Sequence, residues 1–530
     1  MKYLSLLFTI CLSSTLYAQN NYVQMGSASA TPGANNFLHG INVGNATMTG
    51  GNNMAIGIET GMSLTSGSDN MFIGQQAGRV STTGTRNMFI GYRSGILNTT
   101  GAYNTFIGQG AGVSNTEGYS NSFFGTQAGL LNTTGFYNAF IGGDAGHFNT
   151  TGNNNAFIGT STGYKNTEGS YNAFIGHGAG LENIYGNYNT YVGALSGLWG
   201  QTGTSNAFMG YMSGYNNNSG NANAFLGYQA GYQNYNGSQN AFVGYQAGFA
   251  NQVNQYGTYV GYQAGYSAQA DSNTCVGYKA GYQLVGGKSN TYFGANAGRN
   301  NVSGSRNTYV GRNAGPAATN TDDNVYVGYE AGQLDQGSQN TFLGTESGVL
   351  AANNQPLHNA TAVGAGAKVA VSDAIVLGNN ANVGVGTSSP TSRLHVVGEN
   401  ADESGLRLEK LTANSPVTAN TDQFLTVNEK GEVVKGRYRL QISQVTDWSD
   451  KVFSPTYKLM PLEEVAAFVK KAHHLPSVPS AETVVKEGID VAQLNAKLLE
   501  KIEELTLYLI EQKQQISELK QEVANLKSKR

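Results

Sequence analysis

Few residues of this chain stand in a pattern that could support catalysis or ligand binding. Gly286-Gly287-Lys288-Ser289 resembles the end of a phosphate-binding loop, but such a loop needs a glycine at position 282, where the chain has Tyr282. His473 and His474 could contribute to a metal site, although a pair placed just before Pro476 is more typical of a helix end. The seven histidines are scattered, and no H-E-x-x-H, C-x-x-C or G-x-S-x-G motif occurs. The sequence therefore predicts no catalytic residue, no cofactor and no metal site.

The composition excludes several further classes of protein. The 530 residues include 72 glycines but only 9 prolines, which does not fit collagen. An aromatic content of 10% is too high for a disordered chain. Charged residues make up only 12%, and the formal net charge of −3 provides no basic field for nucleic acid.

The N-terminal residues have the layout of a secretory signal peptide. Lys2 supplies a short positive region, residues 3–12 are apolar, and Ala18 is a small residue at the expected cleavage point, so the mature chain should begin near Gln19. A lipoprotein anchor at Cys11 is the alternative, but a bulky residue precedes this cysteine where that processing needs a small one. No later stretch is apolar enough to predict a transmembrane helix in the mature chain.

An internal repeat, N-x-F-I-G-x-x-A-G, is the strongest signal in the chain, as at residues 70–78, 104–112 and 240–248. The glycine that closes the F-I-G triplet recurs in twelve successive steps of 17 residues and then in steps of 16 or 17, which makes eighteen units. These glycines are Gly57, Gly74, Gly91, Gly108, Gly125, Gly142, Gly159, Gly176, Gly193, Gly210, Gly227, Gly244, Gly261, Gly277, Gly294, Gly311, Gly328 and Gly344.

Each unit is a short apolar run bounded by glycine and asparagine, a pattern typical of a strand followed by tight turns. A fixed unit of this kind predicts an all-β solenoid, in which each unit forms one coil and stacks on the preceding coil at ~4.8 Å. Eighteen coils would form a rod about 85 Å long. Asparagine stands four residues before the glycine, and its amide should bond to neighbouring coils as a structural turn ladder. The asparagines assigned to this ladder are Asn70, Asn87, Asn104, Asn121, Asn138, Asn155 and Asn172.

Two neighbouring strand positions are apolar in nearly every unit, an aromatic residue and then an aliphatic one. Because neighbouring side chains of a strand point to opposite faces, both faces should be buried. One face would lie inside the coil and the other against further chains, since an exposed aromatic stripe of this length exceeds what a soluble monomer shows. The phenylalanines assigned to this oligomer interface are Phe72, Phe89, Phe106, Phe140, Phe157 and Phe174.

From Asn359 the pattern changes to N-A-T-A-V-G-A-G-A-K-V-A-V-S-D-A-I-V-L-G, ending at Gly378. This segment resembles the head repeats of YadA-type trimeric autotransporter adhesins, and the F-I-G-x-x-A-G units resemble a longer version of the same repeat. The resemblance covers roughly residues 44 to 380 and implies a left-handed parallel β-roll formed by three chains. Residues 382–397 are similar to a junction of trimeric tail-fibre and surface-fibre proteins, where a β-roll gives way to a stalk module.

The C-terminal part is predicted to be a small α+β segment followed by a coiled coil. Short strands with Leu406, Leu408 and Leu411 alternating should lead to a hairpin turn at residues 428–431. Pro461 fits the first turn of a helix that ends near His473. The apolar face of this helix carries Leu462, Val465, Phe468 and Val469. Residues 457–509 resemble a C-terminal module of secreted fibre-like bacterial proteins.

The last residues form a heptad pattern, typical of a helix that associates with other helices. The a and d positions are Ile502, Leu505, Leu509, Gln512, Ile516, Leu519, Val523 and Leu526. β-branched residues at a with leucine at d favour two strands, so the expectation of a homotrimer rests on the resemblance and on the two-faced repeat. The expected segments are a signal peptide at 1–18, an N-terminal segment at 19–43, 17-residue β-roll repeats at 44–348, YadA-like repeats and the fibre junction at 349–398, a β stalk at 399–456, a helix and Pro-containing linker at 457–490, and the coiled coil at 491–530.

The expected function is that of a structural and adhesive fibre, not an enzyme. It would be exported to the extracellular space or the outer surface of a Gram-negative bacterium, and would attach in a multivalent way to cells, surfaces or glycans. An outer-membrane partner could retain it, and nucleic acid is not an expected ligand. Two alternatives are a tail-spike-like polysaccharide depolymerase, which would need paired carboxylates, and an ice-binding solenoid, which would need an unbroken threonine row. Thr99-Thr100, Thr133-Thr134 and Thr150-Thr151 suggest such a row, but Asn218 and Tyr235 interrupt it.

Overall fold

The computed structural model of the chain describes residues 33, 35–317, 319–350, 355–400, 406, 423–429, 433–437, 444 and 448–529. The expected signal peptide at 1–18 lies outside these residues, as do Leu408 and Leu411. The chain divides into two compact units, Met1–Leu406 and Arg407–Arg530.

The first unit is a parallel β-solenoid. Twenty-one short strands form its main sheet, and each pairs in parallel with the equivalent strand of the next coil. Phe72 lies opposite Phe89 and Phe89 opposite Phe106, so the register advances by one repeat per coil. The 17-residue coil predicted from the sequence is thereby confirmed.

All strands of this unit are short, because glycine and asparagine end each apolar run. In chain order they are β1 (Phe37–Ile41), β2 (Met54–Ile58), β3 (Met71–Ile73), β4 (Met88–Ile90), β5 (Thr105–Ile107), β6 (Ser122–Phe124), β7 (Ala139–Ile141), β8 (Ala156–Ile158), β9 (Ala173–Ile175), β10 (Thr190–Val192), β11 (Ala207–Met209), β12 (Ala224–Leu226), β13 (Ala241–Val243), β14 (Thr258–Val260), β15 (Thr274–Val276), β16 (Thr291–Phe293), β17 (Thr308–Val310), β18 (Val325–Val327), β19 (Thr341–Leu343), β20 (Gly348–Val349), β21 (Thr361–Val363), β22 (Lys368–Val369), β23 (Ile375–Leu377), β24 (Val383–Val385) and β25 (Leu394–Val396). Strands β20 and β22 pair with each other, as do β24 and β25, and the others form the main sheet.

The sheet extends beyond the repeats at both ends. Strand β1 pairs with β2, so the first coil begins at Phe37, upstream of the expected start at residue 44. At the other end β19 pairs with β21 and β21 with β23, which places the shorter repeats of residues 359–378 in the same stack.

The core of the solenoid is a column of stacked aromatic rings inside a single chain. Successive rings lie 4.6–5.0 Å apart, centroid to centroid. Small residues face each ring: a β-carbon added at Gly146 would lie 2.5 Å from Cε2 of Phe140, and Ala145 is also fully buried. Cys275 takes the ring position in one coil and is also fully buried.

This column corrects the assignment of the phenylalanines to an interface between chains. All six are fully buried within one chain, so no partner could contact them: Phe72, Phe89, Phe106, Phe140, Phe157 and Phe174. The two apolar strand positions do face opposite ways, as predicted, but the aromatic position is the inward one. The aliphatic residue that follows it points outwards.

The second unit contains a hairpin and several helices. Strands β26 (Gln423–Val427) and β27 (Val433–Arg437) pair antiparallel, which confirms the hairpin predicted around residues 428–431. A 3₁₀ helix, Ser449–Phe453, follows. The α-helices are α1 (Leu462–Ala472), α2 (Ala481–Glu487) and α3 (Val491–Ser528).

Helix α1 has the ends predicted from its sequence. Pro461 precedes it, and His473 ends it in a left-handed conformation with φ of 61°. The His473 amide donates to the carbonyl of Val469 at 2.9 Å, which closes the last turn. Among the residues that the structure describes, none of the helices has the length and apolarity needed to cross a bilayer.

Candidate functional site

The segment that resembled a phosphate-binding loop is a turn of the solenoid. Gly286 donates its amide to the carbonyl of Val302 at 2.8 Å, and the Lys288 amide donates to Oγ of Ser305 at 3.1 Å. Because these amides bond to the next coil, they cannot cradle a phosphate. Within the described part of the chain, no three His, Cys, Asp or Glu side chains are grouped as metal ligands.

The asparagines form the expected ladder, and Asn138 shows its geometry. Its amide donates to Oδ1 of Asn121 at 3.0 Å, and its own Oδ1 accepts from the amide of Asn155 at 3.0 Å. Its Nδ2 also donates to the carbonyl of Gly152 at 2.9 Å. Each buried side chain thus connects three successive coils, so the ladder is structural and holds no ligand.

The geometry gives no support to the two alternative functions. Asp335 is a buried carboxylate, but it bonds to the hydroxyl of Tyr326 and to Nδ2 of Asn340, so it takes the place of an amide in the core. The hydroxyls of Thr99 and Thr133 donate to carbonyls of the next coil at 3.0 Å, and Asn218 and Tyr235 occupy the equivalent position in later coils, so the threonine row is interrupted.

The outward face of the main sheet carries an apolar stripe. It consists of one side chain per coil, each half-buried or exposed, at the position after the core aromatic. We call it the outer stripe: Ile73, Ile90, Ile107, Phe124, Ile141, Ile158, Ile175, Val192, Met209, Leu226, Val243, Val260, Val276, Phe293, Val310, Val327 and Leu343. A continuous apolar surface of this length is typical of a protein–protein interface.

One corner of the solenoid is lined by two aromatic ladders and a row of polar side chains. The outer ladder follows the repeat glycine, the polar row follows the outer ladder, and the inner ladder lies three residues further on. We call this surface the Tyr–Gln corner: Tyr211, Tyr228, Tyr245, Tyr262 and Tyr278; Gln229, Gln246, Gln263 and Lys279; and Tyr215, Tyr232, Phe249, Tyr266 and Tyr282.

The three rows of the Tyr–Gln corner lie side by side. Nζ of Lys279 is 5.3 Å from the ring centroid of Tyr278 and 5.4 Å from that of Tyr282, so the polar row lies between the two ladders. In that row, Nε2 of Gln246 donates to Oε1 of Gln229 at 2.8 Å, and Gln263 bonds to Gln246 in the same way at 2.9 Å.

Solvent reaches the outer ladder more readily than the inner one. The outer tyrosines are 41–50% exposed, whereas the inner rings are half-buried. Partial burial raises the pKa of Tyr232, and the neighbouring phenols of Tyr215 and Tyr211 raise it further. The corner therefore presents ring edges, hydroxyls and amides to solvent, with Lys279 as the one charged side chain of its three rows.

The residues of this corner are not among those predicted from the sequence. A signal for them exists as G-Y-Q-A-G followed by tyrosine or phenylalanine, at residues 227–232, 244–249 and 261–266. The repeat was defined by the features that all units share. The Tyr–Gln corner was not predicted because only five coils carry it.

In helix α3, the heptad seam and the residues that contact the rest of the chain lie on different faces. Lys451 forms an ion pair with Glu500 at 3.1 Å, and Oγ of Ser449 donates to Glu503 at 3.3 Å, so one face packs on the segment before α1. The hydroxyl of Tyr508 also bonds to the carbonyl of Met460. The apolar a and d side chains lie on another face and are 47–65% exposed: Ile502, Leu505, Leu509, Ile516, Leu519, Val523 and Leu526.

No family model matches the chain, and no curated protein is significantly similar to it. The geometry alone defines the class, which is a long parallel β-solenoid with asparagine and aromatic ladders.

Proposed function

We propose that the chain is the subunit of an exported, surface-exposed homotrimeric fibre with a structural and adhesive role. The observation that carries this proposal is the Tyr–Gln corner, where the same exposed tyrosines recur in five consecutive coils. Such a surface offers many equivalent weak sites, and their combined engagement gives strong attachment. The proposal makes the chain a structural protein and not an enzyme.

Two apolar surfaces support association between copies. The outer stripe would be covered by neighbouring chains, since an uncovered stripe of this length would promote uncontrolled aggregation. The seam of α3 has the a and d pattern of a coiled coil and has no partner within the described part of the chain. The number three comes from the resemblance to trimeric adhesins, and sedimentation of the mature chain tests it.

The experiment for adhesion uses the repeat itself. Deleting residues 224–257 joins Asn223 to Thr258 and removes strands β12 and β13 in register, with two of the five coils of the Tyr–Gln corner, since Thr258 begins β14. Beads coated with the mature chain should resist detachment from cells under flow. Because many weak sites act together, beads coated with the shortened chain should lose a larger fraction of this resistance than the fraction of coils removed. Full-length beads that attach no better than albumin-coated beads would refute the adhesive role.

A further inference from the structure

The tyrosines of the Tyr–Gln corner are not needed to build a coil. The positions equivalent to Tyr228 are occupied elsewhere in the repeat by Thr126, Gly143, Thr160 and Ala194, and those coils have the same strand and turn structure. Aromatic residues at this position are confined to five consecutive coils, apart from Tyr92 and Tyr329. Such an uninterrupted run points to a role outside the fold.

The chemistry of the corner suits a hydroxyl-rich, uncharged ligand. Phenols and carboxamides each donate and accept hydrogen bonds, and Tyr edges add apolar contact. Lys279 is the one charged side chain in the three rows, so neither a polyanion nor a polycation is favoured. The outer stripe, in contrast, is apolar throughout and suits another copy of the chain.

The spacing of the corner restricts the ligand further. Successive rings of the outer ladder lie 5.0–5.5 Å apart, and those of the inner ladder 5.0–5.1 Å apart. An extended β-1,4-linked glycan advances by nearly the same distance for each sugar ring. A glycan aligned with the solenoid axis would therefore meet the same phenol and amide groups at each sugar.

We propose that the Tyr–Gln corner binds an extended, uncharged β-1,4-linked polysaccharide, with one sugar per coil. The ligand lies along the polar row, where the glutamine amides and the tyrosine hydroxyls bond to its hydroxyl groups. The ring faces of the ladder interior are covered by neighbouring rings. Tyr211 and Tyr278 are the two ends of the outer ladder, because the equivalent residues of the adjoining coils are Ala194 and Ala295. Each of these two rings therefore has one face that no neighbouring ring covers, and this face can stack on a sugar. This inference rests on the proposed adhesive function and names its ligand.

The test is affinity electrophoresis of the mature chain in gels containing hydroxyethyl cellulose or glycol chitin, with dextran as the α-linked comparison. We expect retardation by at least one of the two β-1,4-linked polymers and none by dextran. Replacing Tyr228, Tyr245 and Tyr262 with threonine, which the coil already accommodates at Thr126 and Thr160, should weaken this binding about tenfold or more. The matched control replaces three exposed tyrosines of another corner with serine, Tyr103, Tyr137 and Tyr171, and should bind like the parent.

The outcomes separate this inference from the proposed function. Absence of retardation by both β-1,4-linked polymers, or equal losses in the two triple variants, would overturn the inference. If the chain is a trimer and attaches to cells while binding neither polymer, only the inference fails. If it binds the polymers but sediments as a monomer, only the proposal of a homotrimer is refuted.

Discussion

The rings of Phe140 and Phe157 stack face to face in the core of one chain, with centroids 4.8 Å apart and planes inclined by 7°. Ile141, the residue next to Phe140, points to the opposite side of the sheet and is 43% exposed. Folding therefore depends on Phe140, whereas the proposed assembly would depend on Ile141, so substitutions in the same strand can separate the two.

Phe140→Asp and Ile141→Asp form a matched pair. The first places a carboxylate in the aromatic column and should cost at least about 3–5 kcal/mol of folding free energy, whatever the oligomeric state. The second should leave the far-ultraviolet circular dichroism unchanged and weaken association between chains. Denaturant unfolding and sedimentation measure the two effects. Equal sedimentation of Ile141→Asp and the parent would show that the outer stripe is not an interface.

The asparagine ladder predicts a loss of stability on removal of one amide. Asn138→Ala leaves the amide of Asn155 without its partner, whereas the carbonyl of Gly152 keeps its bond from Nδ2 of Asn149, and one unpaired buried group costs about 1–3 kcal/mol. Asn216→Ala, on the coil surface, should stay within about 0.5 kcal/mol of the parent. Urea unfolding compares them, and similar midpoints for both variants would contradict a structural role for the ladder.

Gly142 and Gly143 are neighbours with opposite tolerance of a side chain. Gly142 has φ of 139°, and an added β-carbon would lie 2.4 Å from the carbonyl oxygen of Gly159, whereas nothing lies within 4 Å of one at Gly143. Gly142→Ala should lose at least about 1–3 kcal/mol. Gly143→Ala should be neutral or slightly stabilising, because alanine restricts the unfolded chain. Thermal unfolding distinguishes them, and comparable melting temperatures would contradict this geometry.

Buried tyrosines predict instability at high pH. Burial raises the pKa of Tyr191, Tyr259 and Tyr326 above the usual value near 10. Above about pH 10 the unfolded chain releases phenol protons that the folded chain retains, so stability falls as pH rises further, and it is insensitive to these groups below that pH. Tyr191→Phe keeps the stacked ring and should move the alkaline unfolding midpoint to higher pH. A midpoint that stays fixed or falls would contradict this prediction.

The seam of α3 is expected to align the chains of the fibre. Near-identical coils can pair out of register at little cost, so a device outside the repeats must set the alignment. Deleting residues 491–530 should give heterogeneous, staggered assemblies by electron microscopy. Gln512→Leu should raise the melting temperature and loosen the oligomer number, because a polar core layer restricts the allowed assemblies. A homogeneous trimer from the deletion variant would show that the solenoid aligns itself.

Periodicity made the stack, the strand register and the asparagine ladder predictable, because equivalent positions must repeat along the solenoid. Which apolar face lies inside did not follow from alternation, since alternation shows only that the two faces differ. The deciding signal was the small pair Ala145 and Gly146, which leaves room for the ring of Phe140. The Tyr–Gln corner was not predictable from the repeat, because it consists of departures from the repeat.

The register of the coils has a consequence at the level of the gene. Because Phe89 faces Phe106 as Phe72 faces Phe89, inserting or deleting seventeen codons between equivalent positions would preserve all the ladders. Replication errors between similar repeats would then yield longer or shorter proteins that still fold, without a shift of reading frame. The number of stacked coils could therefore vary among closely related cells, while the core of each coil keeps the same chemistry.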